Sequence, residues 1–230
     1  MPSSKEALQS LYPSLYGERQ DACQLDHALL DAVRMKAQDS IDTKRSFFEH
    51  NGARLVAMAH ALAEVYQRDG RLFAMGNGGS SCDAAHIAVE FQHPITAGRP
   101  ALAAINLVAD TAMLTAVGND VGIEHIFVRP LIAQARRGDA LIGISTSGNS
   151  LNLLAAFATA RRLGLVTLGL SGHDGGAMAG CGDIDHCLVV ESSSVHRVQE
   201  THVAIYHMLW DLVHTLLAQT RGGLGPVTPP

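Results

Sequence analysis

The 230-residue chain has only four cysteines, and Cys23, Cys82, Cys181 and Cys187 form no CxxC pair. Together with the lack of a secretory leader with a basic start and an apolar centre, this points to a reducing cytoplasm. No Lys/Arg cluster exceeds a pair and the formal net charge is −5, which argues against a nucleic-acid groove. Small anions stay open, because backbone N–H groups can bind them. No apolar run approaches the roughly 20 residues that cross a bilayer, so a membrane span is excluded. With 17% charged and 47% apolar residues, the chain does not have the composition of a disordered protein. Neither GxGxxG nor GxxxxGK[ST] occurs, so NAD or ATP is not specifically implied. Internal repeats and low-complexity segments are also lacking.

What remains is a length sufficient for one sizeable core, with or without an accessory segment. Alanine makes up much of the apolar fraction and 22 glycines add to it, and such small residues let elements approach closely but leave little side-chain area to bury, so association into an oligomer would help. Residues 1–20 show no clean period, and 220–230 run through Gly222, Gly223 and Gly225 into Pro229-Pro230, so both ends read as flexible. Within 21–69, Leu25, Leu29 and Val33, then Leu55, Met58, Leu62 and Val65, recur at helical spacing. They predict two amphipathic helices, Leu25 to His50 and Asn51 to Arg68, packing on the core or on another subunit. From residue 70 to 219, short apolar runs alternate with helix-like stretches. The strands expected are Arg71 to Met75, Leu102 to Asn106, Ala140 to Ser145, Leu165 to Leu170 and His186 to Val190. A final helix runs from near Ser194 to about Ala218. The pattern implies an α/β fold with a parallel sheet covered on both faces.

Gly76-Asn77-Gly78-Gly79-Ser80-Ser81 lies between the first strand and a helix. Glycines allow close backbone approach, and a helix N-terminus presents unpaired N–H groups to an anion, so a sugar phosphate would suit it. An ordinary strand-to-helix turn explains the string equally well. A second loop, Ser145-Thr146-Ser147-Gly148-Asn149-Ser150, is dense in hydroxyls that can donate to phosphate, although capping by Ser147, Asn149 or Ser150 is the simpler alternative. The two become one site only if the sheet brings them together.

His86 and Glu90 share one helical face, where they can hold a metal or simply hydrogen-bond each other. Gln199 and His207, eight residues apart, lie about 80° apart around the last helix. If that helix crosses beside the first, His86, Glu90, Gln199 and His207 make a mixed nitrogen and oxygen ligand set compatible with Zn2+. His202 points away from His207 and reads as structural or solvent-facing. Asp110 and Asp120 are further polar candidates whose simpler roles are helix cap and turn, and Gly172-His173-Asp174-Gly175-Gly176 reads first as a turn.

GNGGS at 76–80, CDAAH at 82–86, GISTSGNS at 143–150 and VQETH at 198–202 together resemble the phosphoheptose isomerase branch of the SIS, or sugar isomerase, family over about residues 25–218. The resemblance implies a three-layer flavodoxin-like SIS fold over 70–219, N-terminal helices that build a homotetramer, and active sites near subunit interfaces. It implies conversion of sedoheptulose 7-phosphate to glycero-manno-heptose 7-phosphate, an early step toward activated heptose for bacterial surface glycans. The implied ligands of Zn2+ are His86, Glu90, Gln199 and His207. Gly78, Gly79, Ser80, Ser145, Thr146, Ser147 and Ser150 are implied to hold phosphate or sugar, with Asn77, Asp110, Asp120 and Gln199 lining the pocket. Glu90 is the implied base of an enediol mechanism and His207 its acid/base partner.

Two positions depart from the pattern. His196 stands where relatives commonly have Asp, and Phe91-Gln92-His93-Pro94 replaces a stretch that often carries Arg. They bear on sugar selection more than on reaction class. The competing classes are a non-catalytic SIS protein that binds a sugar phosphate or assists the bacterial replication initiator, and an aldose-ketose isomerase for another phosphosugar.

Overall fold

The computed structural model describes residues 22–96 and 98–220. The expected flexible ends, 1–20 and 220–230, lie outside these residues apart from the backbone of Thr220. Two compact units are distinguished, Met1–Asp39 and Ser40–Pro230.

In the first unit the described residues are all helical, and Leu25, Leu29, Leu30 and Val33 are 45–64% exposed. Arg34 pairs with Asp31 at 3.0 Å, an exposed contact of little energetic weight.

The helix is one element, α1 (Ala22–Gln67), and not the two expected to meet between His50 and Asn51. Neither residue is a proline, and the apolar stripe of Phe47, Leu55, Met58, Leu62 and Val65 stays in phase across the expected break, all five being buried. Gly52 lowers helix propensity by about 1 kcal/mol, too little to outweigh that packing. The helix stops where Asp69 turns left-handed at φ 58° and the Gly70 N–H returns to the Val65 carbonyl at 2.9 Å.

In the second unit, β1 (Leu72–Gly76), β2 (Ala104–Asn106), β3 (Ala140–Ser145), β4 (Val166–Gly172) and β5 (His186–Val190) form a parallel sheet in the order β2-β1-β3-β4-β5. The helices α2 (Gly79–Gln92), α3 (Thr111–Asp120), α4 (Val128–Gln134), α5 (Leu151–Leu163), α6 (Gly176–Ala179) and α7 (Val195–Thr220) connect and cover it. Period-two alternation divides each central strand between two cores. Leu72, Ala74, Ile142 and Ile144 pack with α2, α7 and residues 47–66 of α1. Phe73, Met75 and Leu141 pack against Phe127, Leu131, Leu153 and Phe157. The result is the expected three-layer α/β sandwich.

Strands β3 and β5 match expectation to the residue. β2 is two residues shorter, and β4 runs to Gly172 instead of stopping at Leu170. At Gly172 a Cβ would lie 2.4 Å from Val198 and 2.6 Å from the Thr146 carbonyl oxygen, so its lack of a side chain lets α7 and the β3 loop close over the end of the strand.

Candidate active site

Strand order reverses between β1 and β3, which are neighbours, and their carboxyl ends open on the crevice where such sheets hold ligands. The two loops singled out in the sequence therefore come together. Asn77 and Asn152 lock them with a reciprocal pair of amide hydrogen bonds, each 2.9 Å.

In the first loop, Gly76 passes so near the Ser80 carbonyl oxygen that a Cβ would come within 2.3 Å, and Gly78 has φ +54°. That tight path carries the chain from the strand directly into the first turn of α2, where Ser80 is buried. In the second loop the buried Ser145 Oγ accepts from the Gly148 N–H at 3.1 Å and meets Ser150 Oγ at 3.0 Å. Ser147 Oγ accepts from the Asn149 N–H at 3.3 Å. Ser150 precedes α5 without a side-chain capping bond, so capping does not account for its hydroxyl. Two helix N-termini with their partial positive charge thus meet a hydroxyl-lined crevice, an environment suited to an anion.

Deeper along α2, α7 crosses beside it and donates from Trp210 Nε1 to the Glu90 carbonyl at 2.8 Å. This crossing meets the condition the ligand set required. One ligand atom each from His86, Glu90 and His207 lie within 4.8 Å of one another. His86 Nε2 is 3.1 Å from Glu90 Oε1, and the His86 and His207 rings are 5.0 Å apart between centroids. Two imidazoles and a carboxylate fit a divalent metal of the zinc type. Desolvation, aided by the neighbouring His86, holds the His207 pKa below the ordinary histidine value against the opposing pull of Glu90. Gln199 rests its amide over Gly79, where an added Cβ would come within 2.2 Å of Nε2.

Two participants were not legible as such. Asp83, one turn before His86, is buried, and burial raises its carboxyl pKa against the opposing pull of His86. Tyr206, on the buried face of α7, is 2% exposed, yet its hydroxyl lies 2.9 Å from His86 Nδ1. The available signal was spacing: Asp83, His86 and Glu90 share one helical face.

The remaining candidates take simpler roles or stand apart. Asp110 caps α3 by accepting from the Met113 N–H at 2.9 Å. Asp120 accepts from Asn119 Nδ2 at 2.7 Å at the opposite end of that helix, about 15 Å along the axis from Asp110. The Gly172 to Gly176 segment is a turn, with His173 left-handed at φ 57° and Asp174 Oδ1 accepting from the Gly176 N–H at 3.1 Å. His202 is fully buried and Nε2 donates to the Ser171 carbonyl at 3.0 Å, a structural role. His196 and His93 are exposed. Arg99 stacks over Trp210 at 4.4 Å and pairs with Asp211. The cavity of about 520 Å³ lined by Val121, Val128, Ile132 and Ala155 is largely apolar and lined by none of these residues.

The SIS domain family model matches residues 37–172. A phosphoheptose isomerase of Desulfovibrio desulfuricans is 39% identical over 203 residues, covering 88% of this chain and 95% of that protein. One of Trichlorobacter lovleyi is 46% identical over 173 residues, covering 75% and 87%. Among solved structures, a phosphoheptose isomerase from Francisella tularensis superposes with a TM-score of 0.77 at 31% identity, covering 81% of this chain and 98% of that one. The Neisseria gonorrhoeae enzyme gives 0.75 at 34% identity, covering 81% and 99%.

Proposed function

Because the chain belongs to the phosphoheptose isomerase family of SIS-domain proteins, it is an isomerase of a heptose phosphate, and we propose that it interconverts sedoheptulose 7-phosphate and glycero-manno-heptose 7-phosphate through an enediol. The observation that carries this is the meeting of His86, Glu90 and His207 across α2 and α7, in the same chain as an anion cradle. In this proposal the phosphate is held by Gly78, Gly79, Ser80, Ser145, Thr146, Ser147 and Ser150. Asn77, Asp110 and Asp120 face the sugar.

His86, Glu90 and His207, with Gln199 as the fourth, would hold Zn2+. The two imidazoles and the carboxylate fit that ion, and the lowered pKa of His207 leaves its lone pair free near neutral pH. When bound, the ion supplies a Lewis acid that stabilises negative charge on a sugar oxygen. The Glu90 carboxylate takes the proton from the carbon beside the carbonyl, and that C–H electron pair becomes the enediol double bond as the carbonyl oxygen is protonated. With its nitrogen released from the ion as substrate changes the coordination, His207 would move the proton between the two oxygens, and the carbon-bound proton returns to the neighbouring carbon. No electrons leave the substrate, so no redox cofactor is needed.

The exposed row of Leu25, Leu29, Leu30 and Val33 supports assembly with copies of the same chain into a homotetramer, since apolar area in water costs about 25 cal/mol per Å². Among the described residues no helix is long and apolar enough to cross a membrane, and we place the enzyme in the cytoplasm.

Metal analysis coupled to a panel of phosphosugars tests the proposal. Bound zinc and chelator-sensitive turnover of sedoheptulose 7-phosphate are expected. Turnover confined to a different phosphosugar would replace the substrate, and a metal-free protein that binds sugar phosphate without converting it would end the enzymatic reading.

A further inference from the structure

Pro94 lies just beyond the end of α2 at Gln92, and a proline has no N–H. In a continuing helix the Glu90 carbonyl would accept from residue 94, so here it has no donor from its own helix. The carbonyls on either side are satisfied locally: Val89 accepts from the His93 N–H and Phe91 from the Leu102 N–H, each at 2.8 Å. The Glu90 carbonyl is instead taken up by α7, through the Trp210 indole at 2.8 Å. An indole N–H can only donate, and this buried ring spends its one polar group there. Arg99 lies over the ring with its guanidinium carbon 4.4 Å from the centroid, and Asp211, the next residue of α7, pairs with the same guanidinium. The indole is therefore held at its edge by a hydrogen bond and on its face by a cation.

We propose that Trp210 is a positioning residue that fixes the turn of α2 carrying Glu90 against the turn of α7 carrying His207, with Arg99 holding the indole in place. The proposal rests on the reading of Glu90 as the base and His207 as its acid/base partner. Trp210 stands three residues beyond His207, about one helical turn, and its bond ends on the backbone of Glu90 itself. Side-chain rotation at Glu90 cannot loosen a tie made at the backbone. The His86 and His207 rings meet across the same crossing at 5.0 Å, so a slip of α7 along α2 would open the ligand set as well as part the base from its partner. A misplacement of about 1 Å in such a constellation can cost about 100-fold in rate. The stretch from Phe91 to Pro94 and Trp210 thus act together: the proline withholds a donor, and the indole supplies it from the other helix.

The test uses the full chain, with steady-state kinetics on sedoheptulose 7-phosphate and Zn2+ affinity read by competition against a chromophoric chelator. Trp210→Phe keeps an aromatic ring under Arg99 and removes the N–H. Its kcat should fall at least about tenfold with KM within about twofold of the parent, because the anion cradle is untouched. Zn2+ should bind about tenfold more weakly. Adding Pro94→Ala to that variant returns a donor to the Glu90 carbonyl from its own chain. The melting temperature should then rise toward the parent's while kcat and Zn2+ affinity stay low, since a bond within α2 does not tie it to α7. Arg99→Gln leaves the N–H but frees the indole, so it should lower kcat by a smaller factor, and it carries the test should Trp210→Phe fail to fold. Parent-like kcat and Zn2+ affinity in Trp210→Phe, or in Arg99→Gln where it stands in, would overturn the proposal, as would recovery of kcat in the double variant. Either result leaves the enediol reading standing. A parent that neither binds Zn2+ nor converts a phosphosugar would end both.

Discussion

Asn77, on the loop after β1, and Asn152, in the first turn of α5 beyond β3, each donate an amide hydrogen to the other's oxygen at 2.9 Å. The pair is the direct bond between the glycine loop and the hydroxyl loop, and Asn152 is 7% exposed. Asn152→Ala leaves Asn77 without its partner. We expect a loss of about 1–2 kcal/mol in urea unfolding and a raised KM for phosphosugar with a smaller change in kcat. An unchanged KM would show that the loops hold their relative position without the pair.

Glu90 is the base of the proposed enediol step, and its Oε1 lies 3.1 Å from His86 Nε2. Glu90→Gln preserves shape but removes the basic oxygen, so turnover should fall by at least about 100-fold, while calorimetric binding of sugar phosphate persists. Ordinary turnover in this variant would sink the assignment of the base.

His202 is held down to about 4 by burial, against an ordinary value of 6.5. Between those two values the unfolded chain binds a proton that the folded chain refuses, so stability declines as pH drops from 6.5 toward 4. The total from this one group is on the order of 3 kcal/mol. His202→Gln can still donate to the Ser171 carbonyl but does not titrate, and should flatten that part of the profile in denaturant melts. A profile as steep as the parent's would place the proton uptake elsewhere.

Gly148 combines φ +67° with a close approach in which a Cβ would stand 2.0 Å from the Gly175 carbonyl oxygen. Gly148→Ala should cost about 2 kcal/mol or more, with a raised KM as the hydroxyl loop shifts. A melt within 0.5 °C of the parent would refute the close approach.

The exposed row on α1 is testable by mass. The double variant Leu29→Asp, Val33→Asp should sediment as a smaller species than the parent, with its far-ultraviolet helix signal largely kept. Equal masses would move the assembly surface elsewhere.

Much of the fold was legible locally. A strand buried on both faces reads as a short apolar run, which is why β3 appears to the residue and β1 and β4 within two, while the edge strand β5, only partly buried, is marked to the residue by Cys187 to Val190. The break between His50 and Asn51 was misread because a short window does not show that one apolar stripe continues in phase from Phe47 to Val65. In the site, His86 with Glu90 and Gln199 with His207 were visible as helical pairs. Asp83 and Tyr206 were not, since an acid inside a helix and a tyrosine on a buried face have ordinary structural uses, and only contact across α2 and α7 distinguishes them.

By itself the sequence determined the chemical types and their local spacing: glycines that permit a tight strand-to-helix turn, hydroxyls dense enough to meet an anion, and imidazole and carboxylate one helical turn apart. Those follow from backbone sterics and a 3.6-residue period, which act over a few residues. The tertiary structure alone decided that β1 lies beside β3, joining the two loops, and that α7 lies against α2, bringing His207 to His86. These are contacts between residues far apart in the chain, set by how the two faces of one sheet bury their apolar side chains, and local periodicity carries no record of them.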